Sequence, residues 1–208
     1  MRFSVFIVLL GLLTGCAGKL DYVRPTSSAS TGNIKIINHP RNAVWDTAVP
    51  QLGKQFFVIN NLDKSSGLIN ISYSGDPQEY VDCGQISSYV KNFRGERTYQ
   101  FPGSKADENY EVMENGNLFG IQRKMNLEGR VNVIFEEIDQ NSTRVTVNVR
   151  YILTKQAFVQ NAGGGSQNYS DTISFNSGGR ASFPQADSNG TECIPTGKLE
   201  QDILSAMN

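Results

Sequence analysis

The sequence has few of the residues on which most catalytic and membrane-spanning proteins depend. Its 208 residues include one histidine, His39, and three cysteines. A Ser-His-Asp triad would have to use His39, which no Gly-x-Ser-x-Gly turn accompanies, so we interpret it as structural or solvent-exposed. Hydrophobic runs are also short. The longest, from Phe3 to Leu13, does not reach the roughly 20 residues that a spanning helix needs.

Net charge is low as well. The chain has 19 basic and 20 acidic side chains, a formal net charge of -1. Removal of residues 1–15 would take away Arg2 alone, which leaves 18 basic against 20 acidic side chains, or -2. So weak a field argues against nucleic acid as a partner.

Metal-binding and paired-acid patterns are also missing. Neither Cys83 nor Cys193 has a second cysteine or a histidine at ligand spacing. The acidic segment "DPQEYVD", residues 76–82, lacks the Asp/Asn pattern and central glycine of a calcium loop, so we interpret it as a solvated loop. Glu136 and Glu137 would point to opposite faces of a strand. We therefore predict no metal, no cofactor and no enzymatic activity.

Three other features resemble ligand sites, and each has a plainer interpretation. "AGGGS", residues 162–166, lacks the Lys-Ser/Thr and the following helix of a phosphate loop and is predicted to be a flexible turn. Trp45 is predicted to lie in the core. Aromatic residues are scattered among basic ones over 80–101 in the manner of a binding surface, although partial burial is the simpler interpretation. They are Tyr80, Tyr89, Phe93, Tyr99 and Phe101, with Lys91, Arg94 and Arg97.

The N-terminus carries the most specific signal. A charged start at Arg2 is followed by the short apolar run and then by small residues that lead to Cys16. Eleven helical residues rise about 16 Å, about half the thickness of the hydrocarbon core. Residues 1–15 are therefore predicted to be a secretory signal peptide.

"LTGC", residues 13–16, resembles the lipobox of bacterial lipoproteins. The resemblance implies cleavage before Cys16 and acyl chains, such as palmitate, on its thiol and on the new amino group. Several chains would hold the protein on a membrane much more firmly than one. The alternative is an ordinary signal peptide cut near Ala17, with Cys16 discarded.

The residues after Cys16 bear on which membrane would hold the protein. Among bacterial lipoproteins an aspartate directly after the cysteine favours the inner membrane, whereas this chain has Ala17. The resemblance therefore implies lipid anchoring to the outer membrane, with the body facing the periplasm. Residues 16–32 are polar with little periodicity and are predicted to be a lipidated flexible tether. Residues 33–208 are predicted to form one domain.

The two remaining cysteines, Cys83 and Cys193, form an even pair in a chain predicted to reach an oxidising compartment. A disulfide between them is the simplest interpretation. It would close a long loop and join the C-terminus to the middle of the fold. Two separate buried thiols are the alternative, because sequence alone does not place the two residues within bonding distance.

Strand and helix patterns begin at Asn33. "NIKII" alternates like a strand, "AVWDTAVPQL" has apolar residues at helical spacing, and "FFVIN" and "LINISY" are predicted to pair as a hairpin across "NLDKSSG". Pro50 is expected to end or kink the helix near Val49. This unit, over about residues 33–74, resembles the domain in the C subunit lipoprotein of the outer-membrane barrel assembly machinery and in related lipoproteins.

The rest of the chain is divided between an irregular part and a regular one. Residues 75–118 are predicted to form a long excursion with one or two short strands. Three strands follow, with turns at "DQNST" and "NAGGGSQ", and Thr196 is predicted to cap a final helix. We therefore predict an α+β class: an antiparallel sheet that begins with a β-helix-β-β unit, with the C-terminal helix packed on one face.

Together these features favour a lipid-anchored, non-catalytic accessory or scaffold protein of a cell-envelope assembly, with envelope proteins as partners. Two alternatives stay open. One is a lipoprotein of a secretion or conjugation apparatus. The other is a periplasmic carrier of a lipid or other amphiphile, which would require an apolar cavity of several hundred Å³ between sheet and helices.

Overall fold

The chain folds into an extended, strand-rich structure. A computed structural model describes residues 17–26, 32–55, 57–184 and 190–207. It is 62% strand and 12% helical, with several antiparallel sheets and two helices. The predicted α+β class is therefore wrong, because strands occupy most of the chain, including segments with no alternating pattern. Residues 1–16 lie outside the described residues, and with them the predicted signal peptide and the lipidation at Cys16.

The described elements comprise thirteen strands and two helices. The strands are β1 Ala17–Val23, β2 Ile34–Ile37, β3 Val58–Asp63, β4 Leu68–Gly75, β5 Val81–Asp82, β6 Gln85–Asn92, β7 Gly95–Pro102, β8 Asp107–Glu114, β9 Asn117–Asp139, β10 Ser142–Asn161, β11 Ser166–Asn176, β12 Ala181–Ser182 and β13 Glu192–Pro195. The helices are α1 Arg41–Gly53 and α2 Lys198–Ser205.

A very long hairpin, β9 and β10, organises the molecule. The two strands pair from Phe119 with Asn161 to Asp139 with Ser142, and the turn at "DQNST" is confirmed. The amide of Asn141 donates to Asp139 Oδ1 across that turn, at 2.8 Å. At about 3.3 Å per residue, β9 is about 70 Å long. The hairpin therefore has two distant ends: the turn end at 139–142 and the open end at 117–119 and 159–161.

The main sheet grows outward from this hairpin, in the order β11-β10-β9-β4-β3. β2 and β11 lie one after the other along the free side of β10, and β4 and β8 do the same along β9. The order β2, α1, β3, β4 agrees with the pattern expected over 33–74. The turn "NAGGGSQ" between β10 and β11 also lies where it was predicted.

The inner face of the main sheet forms the core with both helices. Alternate residues of the central strands point inward, and α1 and α2 cover them. The helices contribute Val44, Trp45, Ala48, Leu52, Leu199, Ile203, Leu204 and Met207. A Cβ atom at Gly129 would lie 3.1 Å from Leu199 Cδ2, so the small residue lets α2 approach β9 closely. The interface is well packed at the turn end.

Helix α1 differs from prediction at its C-terminal end. Pro50 was expected to stop or kink it near Val49, yet the helix continues to Gly53. Pro50 is exposed, while Ala48 and Leu52 are fully buried. Burial of Leu52 offsets the backbone hydrogen bond that proline cannot make.

The outer face of the main sheet is polar and carries a row of asparagines. Asn61, Asn70, Asn132 and Asn148 follow one another across β3, β4, β9 and β10. Asn70 Nδ2 donates to Asn132 Oδ1 at 2.6 Å, and Asn33 Nδ2 donates to Asn148 Oδ1 at 3.2 Å. These side chains satisfy one another and leave this part of the face exposed to solvent.

A second sheet, in the order β1-β6-β7, lies beside β8. Residues 17–23 were assigned to a flexible tether, but they form strand β1, paired with β6 from Ala17–Lys91 to Val23–Gln85. Residues 27–31 of that tether lie outside the described residues. The strand was missed because all but one of its side chains are exposed, which leaves no alternation to detect.

The excursion predicted over residues 75–118 contains four strands, β5 to β8, rather than one or two. The predicted disulfide is confirmed: Cys83, just after β5, is bonded to Cys193 in β13. Both cysteines are fully buried. The small sheet β12-β13-β5 therefore joins the excursion to the segment that precedes α2.

Candidate functional site

The residues considered as catalytic or metal-binding candidates do not form a site. His39 is exposed, and its carbonyl accepts a hydrogen bond from Thr143 Oγ1 at 2.8 Å. In the acidic loop, Asp76 accepts from Gln78 N and Asp82 from Gly84 N, each as a turn-forming side chain. Among the described residues no group of His, Cys, Asp and Glu could hold a metal ion.

The aromatic and basic residues of 80–101 separate into different environments. Tyr80 and Phe101 are buried, as the simpler interpretation predicted. Tyr99 donates to Glu111 Oε2 at 3.1 Å, and Arg97 pairs with the same carboxylate. Phe93 is the exception, because 89% of it is exposed. These residues do not make one continuous stacking surface.

One buried polar cluster was not foreseen. Glu200, 2% exposed in the first turn of α2, accepts from Tyr151 OH at 2.6 Å and from Ser177 Oγ at 2.7 Å. Burial, and next the neighbouring carboxylate, raise the pKa of Tyr151. Both oxygens of Glu200 have donors, so the cluster fixes α2 on β10. "LEQDIL" gave no sign of this role, because a helical glutamate is usually exposed.

A buried arginine and a partly buried lysine lie nearer the open end. Arg123 is 3% exposed, and its guanidinium donates to the carbonyls of Gly103 and Lys105 at 2.8 and 3.1 Å. Burial lowers the pKa of Arg123 and that of Lys155, whose ammonium lies 4.0 Å from Asp171. Their contacts join the excursion and β11 to the central hairpin.

The interface between the helices and the sheet is filled at its centre. Ala48, Leu52, Leu199 and Ile203 have no exposed surface. A cavity of about 160 Å³ lies at the margin, lined by Ile37, His39, Ala43, Val44, Thr47 and Met207. This volume is well below the several hundred Å³ that an amphiphile would need.

Most free edges of the main sheet are protected against pairing with another chain. β2 has four residues, and β3 has six with a register shift between Ile59 and Asn61. The β8 edge carries four acidic residues, and Ser88 Oγ of β6 donates to the Glu111 carbonyl there at 2.6 Å. Short length, irregularity, charge and cover are the usual means by which proteins block unwanted strand pairing.

Strand β11 has little of this protection along its outer edge. It has eleven residues, pairs with β10 in unbroken register, and contains one charged residue, Asp171, and no proline. Residues 166–170 are all exposed. Within the described part of the chain, no strand pairs with this edge. We call this outer side of residues 166–172 the β11 edge.

The backbone direction along the β11 edge follows from two hydrogen bonds. Asn161 N donates to Gly165 O, and Ser177 N donates to Val149 O, each at 2.9 Å. Residues 165 and 177 therefore face β10, and with no register shift between them the odd-numbered residues of β11 do the same. The amides and carbonyls of even-numbered residues, such as Asn168 and Ser170, point outward.

Beside the β11 edge, a shallow trough runs along the outer face at the open end. Two adjoining cavities of about 360 and 400 Å³ share Gln122 and Phe158. A Cβ atom at Gly120 would have no neighbour closer than 4.0 Å, so this glycine leaves room in the trough lining. The lining is rich in amides, each of which both donates and accepts hydrogen bonds. The amide residues are Asn109, Gln122, Gln156, Gln160, Asn161 and Asn168.

The β11 edge and the trough together offer what an added strand requires. The edge supplies main-chain donors and acceptors, and the trough supplies the Phe158 ring with side-chain amides around it. The alternating pattern of residues 168–177 predicts a strand but does not indicate that β11 lies at an edge, because edge position depends on long-range topology.

Comparisons with protein-family models, with curated proteins and with solved structures find no match to this chain. Among the described helices, none is long and apolar enough to cross a membrane.

Proposed function

We propose that this protein is an outer-membrane lipoprotein, anchored through Cys16, whose periplasmic body is a non-catalytic scaffold that binds an extended segment of an envelope protein on the β11 edge. The lipobox-like sequence at residues 13–16 supports the anchor and the location. The observation that carries the binding role is the unprotected β11 edge, in a sheet whose other main edges are protected.

Unpaired backbone groups along the β11 edge would hold the partner. Outward amides and carbonyls over residues 166–172 can pair with an incoming strand and extend the main sheet by one. Unpaired backbone groups along a strand edge are a template for pairing with another chain, so retention of this edge favours a dedicated partner. Main-chain bonds would give affinity, and the trough beside Phe158 would select the partner's side chains.

The packing favours this role over the alternatives. A carrier would need an apolar cavity between sheet and helices, where the side chains instead fill the interface. An enzyme would need converging titratable groups in a cleft. The acidic loop and His39 do not converge. A lipoprotein of a secretion or conjugation apparatus would bind its partner through the same β11 edge, so the present proposal includes that alternative.

The test uses the outward amide of Ser170. In Ser170→Pro this donor is removed, while the bonds to β10, made by odd-numbered residues, are retained. Ser170→Ala keeps the amide and is the matched control. A photo-crosslinking residue at Asn168 in intact cells should join the protein to an envelope protein, through a peptide that maps to an extended segment. The crosslink should disappear in Ser170→Pro and persist in Ser170→Ala.

Two controls sharpen the result. The same crosslinker at Leu62, 45% exposed on the protected β3 edge, should give no such product. Melting curves should show that both Ser170 variants stay folded. A crosslink that is equally strong with proline and alanine at position 170, or that forms equally from positions 62 and 168, contradicts pairing at the β11 edge.

A further inference from the structure

The first described residue lies next to the tip of another hairpin. Ala17 directly follows Cys16 in the chain and pairs with Lys91, the penultimate residue of β6. The β6–β7 turn, residues 92–95, begins one residue further on. Cys16, the proposed site of lipid attachment, is therefore bonded to a residue that lies opposite Lys91, next to this turn. We call residues 91–95 the β6–β7 tip.

The β6–β7 tip has the composition of a membrane-interface contact. Phe93 is 89% exposed, the largest exposed fraction among the large hydrophobic residues that the structure describes. The Arg94 guanidinium lies 5.6 Å from the Phe93 ring centre, and Lys91 is on the adjoining strand. An aromatic ring beside long basic side chains suits the boundary between headgroups and acyl chains, where rings are buried and cations extend to phosphates.

Other loops lie at the same end of the molecule. A Cβ atom at Gly18 would lie 2.3 Å from Met113 Cβ, so β1 packs directly on the end of β8. The β8–β9 turn at Asn115 and Gly116 follows at once. Ala162 N donates to Leu118 O at 3.1 Å, so the β10–β11 loop lies at this end as well. The β6–β7 tip thus belongs to the open end of the long hairpin, far from the turn end at 139–142.

We infer that the β6–β7 tip contacts the lipid bilayer beside the Cys16 anchor, with Phe93 in the interface, so that the open end of the hairpin faces the membrane and the turn end faces away. This inference rests on the proposed anchor. It adds a second attachment and an orientation that a flexible tether would not provide. The first strand leaves little slack between Cys16 and the body.

The charges around the β6–β7 tip predict a contact that is mainly apolar. Lys91 and Arg94 are positive, but Glu96 is 2.6 Å from Lys91 and neutralises it. Contact should therefore depend on the Phe93 ring more than on anionic lipid, and moderate salt should weaken it little.

The test places a tryptophan at each end of the hairpin in the full protein. Phe93→Trp reports on the β6–β7 tip, and Ile138→Trp, at a site 44% exposed near the turn end, is the matched control. Trp45 is buried and common to both variants. Each is purified from membranes and reconstituted in phosphatidylcholine–phosphatidylglycerol vesicles with bromine on the acyl chains, which quenches nearby indoles. We expect Phe93→Trp to lose most of the emission of its added indole, and Ile138→Trp to keep it.

A second preparation tests the tip contact independently of natural lipidation at Cys16. The chain from Cys16 onward keeps every described residue, and the disulfide leaves Cys16 as its free thiol, so it can be coupled to maleimide lipid in the same vesicles. Equal emission loss in both variants, or none in Phe93→Trp, in this preparation overturns the tip contact and leaves the anchor intact. If only the coupled form binds vesicles and the indole at position 93 is quenched there, the anchor fails and the tip contact stands.

Discussion

Glu200 is a residue whose importance becomes visible only in the folded chain. It is almost fully buried and joins α2 to β10 through Tyr151 and Ser177. Hydrogen-bond donors offset the free energy that it costs to bury a carboxylate. Tyr151→Phe removes one donor to Glu200 and should therefore lower the free energy of unfolding by about 1.5 to 3 kcal/mol. Urea unfolding at neutral pH measures this. A loss below that of an exposed Tyr169→Phe control contradicts the role.

The same pair predicts behaviour in alkali. The pKa of Tyr151 is raised in the fold, above the 10.0 of an exposed tyrosine. Its contribution to stability is therefore complete below about pH 10, the unfolded pKa, and is lost as pH rises beyond it. Tyr151→Phe should reduce this alkaline loss. Equal slopes of unfolding free energy against pH above about 10 in both proteins would count against the assignment.

Asp63 has the opposite pH dependence, at the turn between β3 and β4. Its Oδ1 accepts from the side chain of Ser65 and from the amides of Ser65 and Ser66. These bonds lower the pKa of Asp63 to about 2, led by the Ser65 hydroxyl. The stabilisation is present above the unfolded value near 3.8 and is lost as pH falls toward 2. Asp63→Asn should flatten this acid step in unfolding curves; an unchanged step contradicts it.

Among the elements, the Cys83–Cys193 bridge joins parts of the chain 110 residues apart. Closing so long a loop restricts the unfolded chain, and removal of native disulfides commonly costs about 2 to 5 kcal/mol. The double variant Cys83→Ala, Cys193→Ala should unfold at lower guanidinium, as the reduced wild type should. A wild-type midpoint that does not respond to reductant would show that the bridge adds nothing to stability.

The elements that could be predicted from sequence are those with one buried and one exposed face. β9 and β10 alternate over about twenty residues, and α2 buries Leu199 and Ile203 as its spacing indicated. β1 is exposed on both faces, so it has no period to detect. In β6 and β7 the inward positions include the polar residues Ser88 and Arg97, which interrupt the hydrophobic alternation. The α+β prediction failed for this reason, since it left most of the excursion without strands.

The candidate site was less predictable than the fold. The strand pattern of β11 was clear, but nothing in "NYSDTISFNS" distinguishes a central strand from an edge. That distinction depends on where β2 and β12 lie, which the whole topology determines. The trough likewise combines Gly120, Phe158 and Asn109 from three strands.

For the whole molecule, length and attachment are the main consequences of the fold. The central hairpin is about 70 Å long, with the first strand and the β6–β7 tip at its open end. If that end is attached to the outer membrane, α1, α2 and the core lie farthest from the bilayer. The β11 edge then begins close to the membrane surface, where a partner that is itself membrane-bound could reach it.

The proposed location and orientation both depend on the state of Cys16, which mass spectrometry of the N-terminal peptide from purified membranes tests most directly. We predict a chain that begins at Cys16 and carries a diacylglyceryl group on the thiol and an acyl chain on the amino group. An unmodified chain that retains residues 1–15, or one that begins after position 16, would contradict it.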